Sequence, residues 1–223
     1  MRRSSLLAVL ALCVAAIPSA GQQAATRVSI EPHVGYTFFG DFYSDRVMLS
    51  GQDVGSARLT LERHVTYGAG VSLRLGATHW SLLGDFDRAG TNGDFDICER
   101  GFACNRFQLD ATIVHYVVGI ARDFEGRRGA PATRLFLGPA LQHLGLESEG
   151  RDRTYNSPGG AAGLRVIGHP TARTDWYAEV SDAVLKARVQ KLARDIAGPD
   201  IPIVLQTHYM NVPHVALGLR LGF

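Results

Sequence analysis

The last ten residues, His214 to Phe223, alternate strictly. Val215, Leu217, Leu219, Leu221 and Phe223 fall on one face, and Ala216, Gly218, Arg220 and Gly222 on the other. A period of two belongs to a strand with one apolar face, not to a helix. The same period governs the first segment after the N-terminal region. There Val28, Ile30, Val34, Tyr36 and Phe38 oppose Ser29, Glu31, His33, Gly35 and Thr37. It returns at 65–75, where Val65, Tyr67, Ala69, Val71, Leu73 and Leu75 oppose Thr66, Gly68, Gly70, Ser72 and Arg74. Less regular strands are predicted near 80–88, 106–122, 133–144, 160–167 and 174–183, which with 210–223 makes eight. The stretch from Val114 to Ala121 is apolar on both faces, and a bulge is expected there. Pro139 and Pro213 lack ladder donors, and bulges are expected at them too.

The N-terminus reads as a cleaved secretory leader over residues 1–21, followed by one domain over 22–223. Arg2 and Arg3 precede an apolar run from Leu6 to Ile17, and small residues follow at Ser19, Ala20 and Gly21. As a helix that run rises about 18 Å, short of a bilayer core of about 30 Å. Without Arg2 and Arg3, basic and acidic residues balance at 21 each. That excludes the basic field a nucleic-acid partner demands. No later apolar run reaches the length of a transmembrane helix. If the exported chain enters a membrane, it must do so as a closed barrel.

The connections carry an asymmetry. Residues 76–79, 126–132 and 168–173 are short and rich in glycine or proline. They alternate with long polar stretches at 40–63, 89–105, 147–159 and 184–209. Short turns on one side and long loops on the other are the pattern of bacterial outer-membrane barrels. The expected fold is therefore all-β, an eight-stranded antiparallel up-and-down transmembrane β-barrel. Trp80 and Trp176 open strands just after short turns, where an interfacial ring would sit. Tyr36, Phe38 and Phe86 are expected at the other strand ends. A soluble lipocalin-type barrel shares the period. It fits poorly with a polar face holding Gly35, Gly68, Gly70, Gly163, Gly218 and Gly222, which make room inside a narrow barrel rather than cover an exterior.

On these features the chain resembles the small OmpA- and OmpX-type outer-membrane barrels, in the barrel domain alone. The resemblance rests on pattern, and its most specific piece is the terminal strand with Leu219, Leu221 and Phe223. These look like the signal by which the barrel-assembly machinery recognises its clients. The resemblance implies the outer membrane of a Gram-negative-type bacterium with outer-membrane lipid as surroundings; a monomer is expected, and Lys186, Arg188, Lys191 and Arg194 of the fourth long stretch offer a basic face to lipopolysaccharide phosphates.

Candidate chemistry lies on the polar face. Eight strands leave a lumen just wide enough for side chains, and buried charges need partners. Glu31, Arg74, Asp85, Asp110, Arg134, Arg165, Glu179 and Arg220 are expected to form an ion-pair network plugging it, with Asp87 and Asp175 on the same face. Glu31 is expected to meet Arg74 or Arg220 from the neighbouring strands. Cys98 and Cys104, in an oxidising compartment, are expected to form a disulfide in the second long loop. Asn92, Asp94 and Asp96 have the spacing of a calcium-loop start, but Ile97 stands where glycine should and Ala103 where glutamate should. Leu185, Val189, Leu192 and Ile196 have helical spacing, with basic residues on other faces. His143 and Ser148, beside Glu147 and Glu149, are the nearest approach to hydrolytic chemistry, and no motif matches them. No cofactor or metal is called for. The functional expectation is a structural or surface-interaction barrel. The alternatives are a narrow channel for small solutes and, further off, a lipid A-modifying enzyme.

Overall fold

The computed structural model describes residues 28–38, 41–49, 52–76, 78–124, 131–148, 151–168, 174–187 and 208–223. The leader and its cleavage region lie outside them, as do Arg188, Val189, Lys191, Leu192, Arg194 and Ile196. Ten strands follow one another: β1 (Val28–Thr37), β2 (Asp41–Leu49), β3 (Gln52–Leu61), β4 (His64–Arg74), β5 (Trp80–Glu99), β6 (Cys104–Phe124), β7 (Ala132–Ser148), β8 (Arg151–Gly168), β9 (Thr174–Ala187) and β10 (His208–Gly222). There is no helix among the described residues.

Eight of these strands close into a ring, each antiparallel to its neighbours, in the order β1, β4, β5, β6, β7, β8, β9, β10 and back to β1. Closure comes from β1 against β10, where Ile30 lies opposite Leu221 and Tyr36 opposite Val215. The Phe223 N–H completes it by donating to the Val28 carbonyl at 2.9 Å. The remaining pair, β2 and β3, is a hairpin built from the stretch expected to be the first long loop. β5 is 20 residues long and uses both partners in turn. Its first half pairs with β4, Arg74 opposite Ser81 through Tyr67 opposite Arg88. Its second half pairs with β3, Leu61 opposite Gly93 through Gly55 opposite Glu99.

The strands therefore run far beyond the lengths predicted from alternation. The second loop, 89–105, is mostly the continuation of β5 and β6, paired down to Cys98 opposite Cys104. The third, 147–159, is the tip of the β7–β8 hairpin. Leu185, read as the start of a helix, is a fully buried residue of β9. In each case polar residues facing outward on an extended strand look like loop residues, because above the lipid both faces of the wall differ less in polarity.

The expected bulges are absent among these strands. The β6–β7 register is constant from Asp110 opposite Glu147 to Phe124 opposite Thr133. The pairs at Val118 and Gly119 drop out of the ladder there, opposite Pro139, which has no N–H to give. Pro213 stands opposite Asp182 without a shift, and its carbonyl accepts from Phe38 N–H at 3.0 Å. The two-sided apolar run in β6 instead has one face in each environment. Val117 and Ala121 are buried inside, while Val118 and Ile120 face out.

The ring exterior carries an apolar band. Leu217 is 68% exposed, Val118 64%, Val180 63% and Leu137 61%. A contiguous belt of this kind is far larger than soluble monomers leave uncovered. At the short-turn end lie the exposed rings of Trp80, Trp176, Phe124 and Phe223, with the Arg122 guanidinium 5.4 Å from the Trp80 ring and 5.2 Å from that of Phe124. Towards the other end, Tyr36 packs on Phe38 at 4.9 Å and Phe86 on Tyr116 at 5.4 Å. Phe86 is not at a strand end, since β5 continues to Glu99.

Candidate functional site

The lumen is layered. At the short-turn end its centre is ionic, and all eight ring strands contribute to it or to the polar layer above. Glu31 on β1 is 1% exposed, as are Arg134 on β7 and Arg165 on β8. Arg134 donates from Nη1 to Glu31 Oε1 at 3.0 Å and binds Asp123 with both Nε (2.6 Å) and Nη2 (3.2 Å). Arg165 divides its three nitrogens among three acids: Nη1 to Glu31, Nη2 to Asp85 and Nε to Glu179. Its guanidinium also lies against the Tyr177 ring at 4.8 Å and the Phe136 ring at 5.2 Å, a planar stacking that suits arginine and not lysine. Ser29 and Ser72 each donate to Glu31 Oε1 at 2.9 Å. Arg220 Nε lies 3.8 Å from the same oxygen and its Nη1 3.9 Å from Asp175. Charges this deep in a protein persist only when their hydrogen-bonding capacity is met in this way.

Inward glycines make this arrangement possible. A Cβ on Gly218 would stand 2.4 Å from Tyr177 Cζ, and one on Gly163 2.4 Å from the Phe136 ring. Removing side chains at these positions lets the two rings turn inward under Arg165.

Of the charged residues expected in the network, Glu31, Asp85, Arg134, Arg165, Glu179 and Arg220 are brought together. Two are not. Arg74 turns to its own β-turn, donating from Nε to the Thr78 carbonyl at 2.9 Å in an exposed position. Asp110 is on the outer face of β6, opposite Glu147. The two-sided apolar run next to it concealed the parity, which Val117, Ala121 and Asp123 on the inner face now set. The same misreading concealed Asp123. Asp175 lies on the polar face as expected, and Ser29 and Ser72, polar-face residues without charge, supply hydrogen bonds that alternation alone does not reveal.

Above the ionic layer the lumen becomes a polar chamber. His33 Nδ1 lies 3.1 Å from the Glu31 carbonyl, and its Nε2 lies 2.7 Å from Asp87 Oδ1 and 3.7 Å from Asp85 Oδ1. His214 Nε2 is 2.9 Å from Thr66 Oγ1. Higher still the interior is apolar, closed by Leu59 and Leu61 of β3, Phe95 of β5, Leu109 of β6, Leu146 of β7 and Leu185 of β9.

Cys98 and Cys104 form a disulfide at the tip of the β5–β6 hairpin. Asn92, Asp94 and Asp96 lie on β5 and not in a loop. Asp96 Oδ1 accepts from Arg106 Nε at 2.8 Å, an arrangement without the turn a calcium loop requires. His143 Nδ1 meets Asn156 Oδ1 at 2.8 Å, and Ser148 is five residues further along β7.

A closed ring of eight antiparallel strands with a filled lumen and an outward apolar band defines the fold of the small outer-membrane β-barrels. Solved structures of such proteins share it. Outer membrane protein OprG from Pseudomonas aeruginosa matches with a TM-score of 0.61 and 14% identity, over 91% of this chain and 98% of that one. Neisserial surface protein A matches with a TM-score of 0.50 and 11% identity, over 88% of this chain and 97% of that one. At these identities the likeness is one of fold. No family model matches the chain, and no curated protein matches it.

Proposed function

We propose that this chain is an exported, monomeric outer-membrane barrel with a structural or surface-interaction role, whose lumen is plugged by its own ion pairs. In this reading residues 1–21 are a cleaved leader and 22–223 the barrel. Outer-membrane lipid surrounds the apolar band, and lipopolysaccharide meets its outer edge. Leu219, Leu221 and Phe223 serve the barrel-assembly machinery. The observation that carries the reading is Arg165, buried in the lumen and joined to Glu31, Asp85 and Glu179 on three other strands. A guanidinium held on three sides occupies the path an ion would take. The apolar layer above supports the same reading, because a solute would have to cross it unhydrated.

The test is conductance in planar bilayers. The unmodified protein should give little or no steady current. Glu31→Ala, which frees Arg134 and Arg165 from a shared partner, should open a measurable current or destabilise the barrel. A large, stable current from the unmodified protein would reject the plug in favour of a narrow channel.

A further inference from the structure

The polar chamber holds a carboxylate set apart from the guanidiniums and a set of buried polar atoms without partners. Among the described residues Glu31, Asp85, Asp123, Asp175 and Glu179 each meet an arginine. The ion pair of Asp87 is with a histidine instead.

His33 is held in the manner of a ligand. Its Nδ1 faces the Glu31 carbonyl, which can only accept, so Nδ1 carries the proton. In the neutral ring Nε2 then presents a lone pair to two carboxylates, Asp87 Oδ1 at 2.7 Å and Asp85 Oδ1 at 3.7 Å. Three acceptors facing one another require a positive species between them, either a proton on Nε2 or a cation. Asp85 is oriented for the second. Arg165 holds its Oδ2, while Oδ1 takes the Phe86 N–H at 3.0 Å and remains turned to His33. Fixing the far atom of a ligand by an outer partner is the usual support of a metal site.

An independent observation comes from the cavities beside this group. Two small cavities, each about 20 Å³, share Asp87, His115 and His214 as lining. His115 Nε2 is buried without a hydrogen-bond partner, and so are both amide atoms of Gln142, whose side chain is 0% exposed and lines one of them. Buried polar atoms without partners mark a missing occupant, and a volume of this size admits one water or one ion.

From this geometry we infer that the lumen holds a site for a divalent first-row transition cation of the zinc class. His33 Nε2 and the carboxylates of Asp85 and Asp87 are its ligands, with the fourth position left to water. The ligand atoms of His33, Asp85 and Asp87 lie within 4.8 Å of one another. Imidazole with carboxylate suits zinc, cobalt or nickel, whereas calcium asks for six or more oxygens. Binding exchanges the proton of the His33–Asp87 pair for a metal ion and places positive charge beside Asp87.

The test uses the untagged full barrel, refolded in detergent and stripped by a chelator. Cobalt(II) should bind at one equivalent with the visible bands of a low-coordinate N/O site, and zinc should displace it. Zinc-edge X-ray absorption should show imidazole and oxygen donors at about 2.0–2.1 Å. His33→Ala and Asp87→Asn, checked for assembly by heat-modifiable gel mobility, should each bind more than about tenfold more weakly. His143→Ala, on the outer wall, should bind as the unmodified protein does. The inference is overturned if the assembled, unmodified barrel takes up no stoichiometric metal, or if its zinc shell contains oxygen donors alone. Because both readings come from the unmodified protein, they decide the matter even where a variant fails to assemble. Undiminished binding in an assembled His33→Ala or Asp87→Asn barrel, or loss of binding in His143→Ala, would also place the metal elsewhere.

Discussion

Arg134 on β7 reaches Glu31 on β1 at 3.0 Å, and the two strands stand diametrically opposite, with three strands between them on either path round the ring. The ion pair is a strut across the lumen. Its length is that of one extended arginine plus one glutamate, which fits an eight-stranded barrel and would not fit a wider one.

Removing one end of that strut should be costly. Arg134→Leu strips Asp123 of both its hydrogen bonds from arginine and Glu31 of one, leaving buried carboxylates, so a loss of roughly 3–5 kcal/mol is expected. Adding Asp123→Leu should recover part of it by removing one of the orphaned charges. Urea unfolding in lipid vesicles reads both values. A single variant as stable as the unmodified barrel would show that the strut carries no stability.

The two charges outside the cluster give the contrast. Arg74→Ala loses a hydrogen bond to a turn carbonyl in an exposed position, and Asp110→Ala alters an outward-facing residue. Each should change stability by no more than about 0.5 kcal/mol in the same assay. A loss of several kcal/mol at either would return that residue to the network.

Overpacking should be felt at Gly218. A Cβ there would stand 2.4 Å from Tyr177. Gly218→Val should push that ring off Arg165 and cost about 1–3 kcal/mol. Gly222→Val is the control, since a Cβ at Gly222 meets nothing within 4 Å. Equal stabilities for the two variants would mean that the lumen can yield at Tyr177.

The hairpin tips set the surface topology. Gly93 belongs to β5, and a Cβ there would stand 2.6 Å from Leu61. Gly101 lies between the two cysteines with φ +85°, and a Cβ there meets nothing within 4 Å. An epitope inserted after Gly101 should be labelled on intact cells, while one at Gly93 should block assembly. Cys98→Ser should leave the barrel assembled and cost roughly 2 kcal/mol or less, because the loop it closes is short. Labelling from the Gly93 insertion, or failure of Cys98→Ser to insert, would contradict this account.

Alternation located the ring strands and the inward glycines, because a two-sided wall between lipid and lumen writes its period into the chain. Glu31 and Arg220 sit on the cleanly alternating first and last strands, and Asp85, Arg134, Arg165 and Glu179 join them from less regular ones. Alternation fails where that contrast fades. In β6 an apolar inner face meets an apolar outer face, so alternation reads Asp110 as inward and gives no sign of Asp123. Above the lipid, β2 and β3 read as loop. Partners were a separate problem. Sequence order supplies neighbouring strands, so it offers Glu31 either Arg74 or Arg220; Arg220 does come within 3.8 Å, whereas Arg134 and Arg165 arrive from the far side only once the ring is closed.

The hairpin of β2 and β3 has one more consequence. Every strand of the ring proper has two partners, so the lower wall offers no free backbone row. β2 pairs with β3 and comes back beside β10 among the described strands. Beyond Thr37 and His64, where β1 and β4 leave off, the hairpin stands between β5 and β10 in their place. The height of the wall on that side is thus set by a piece of chain that the ring does not use, so the upper rim can be lengthened or shortened there without disturbing a pair of the membrane-spanning ladder.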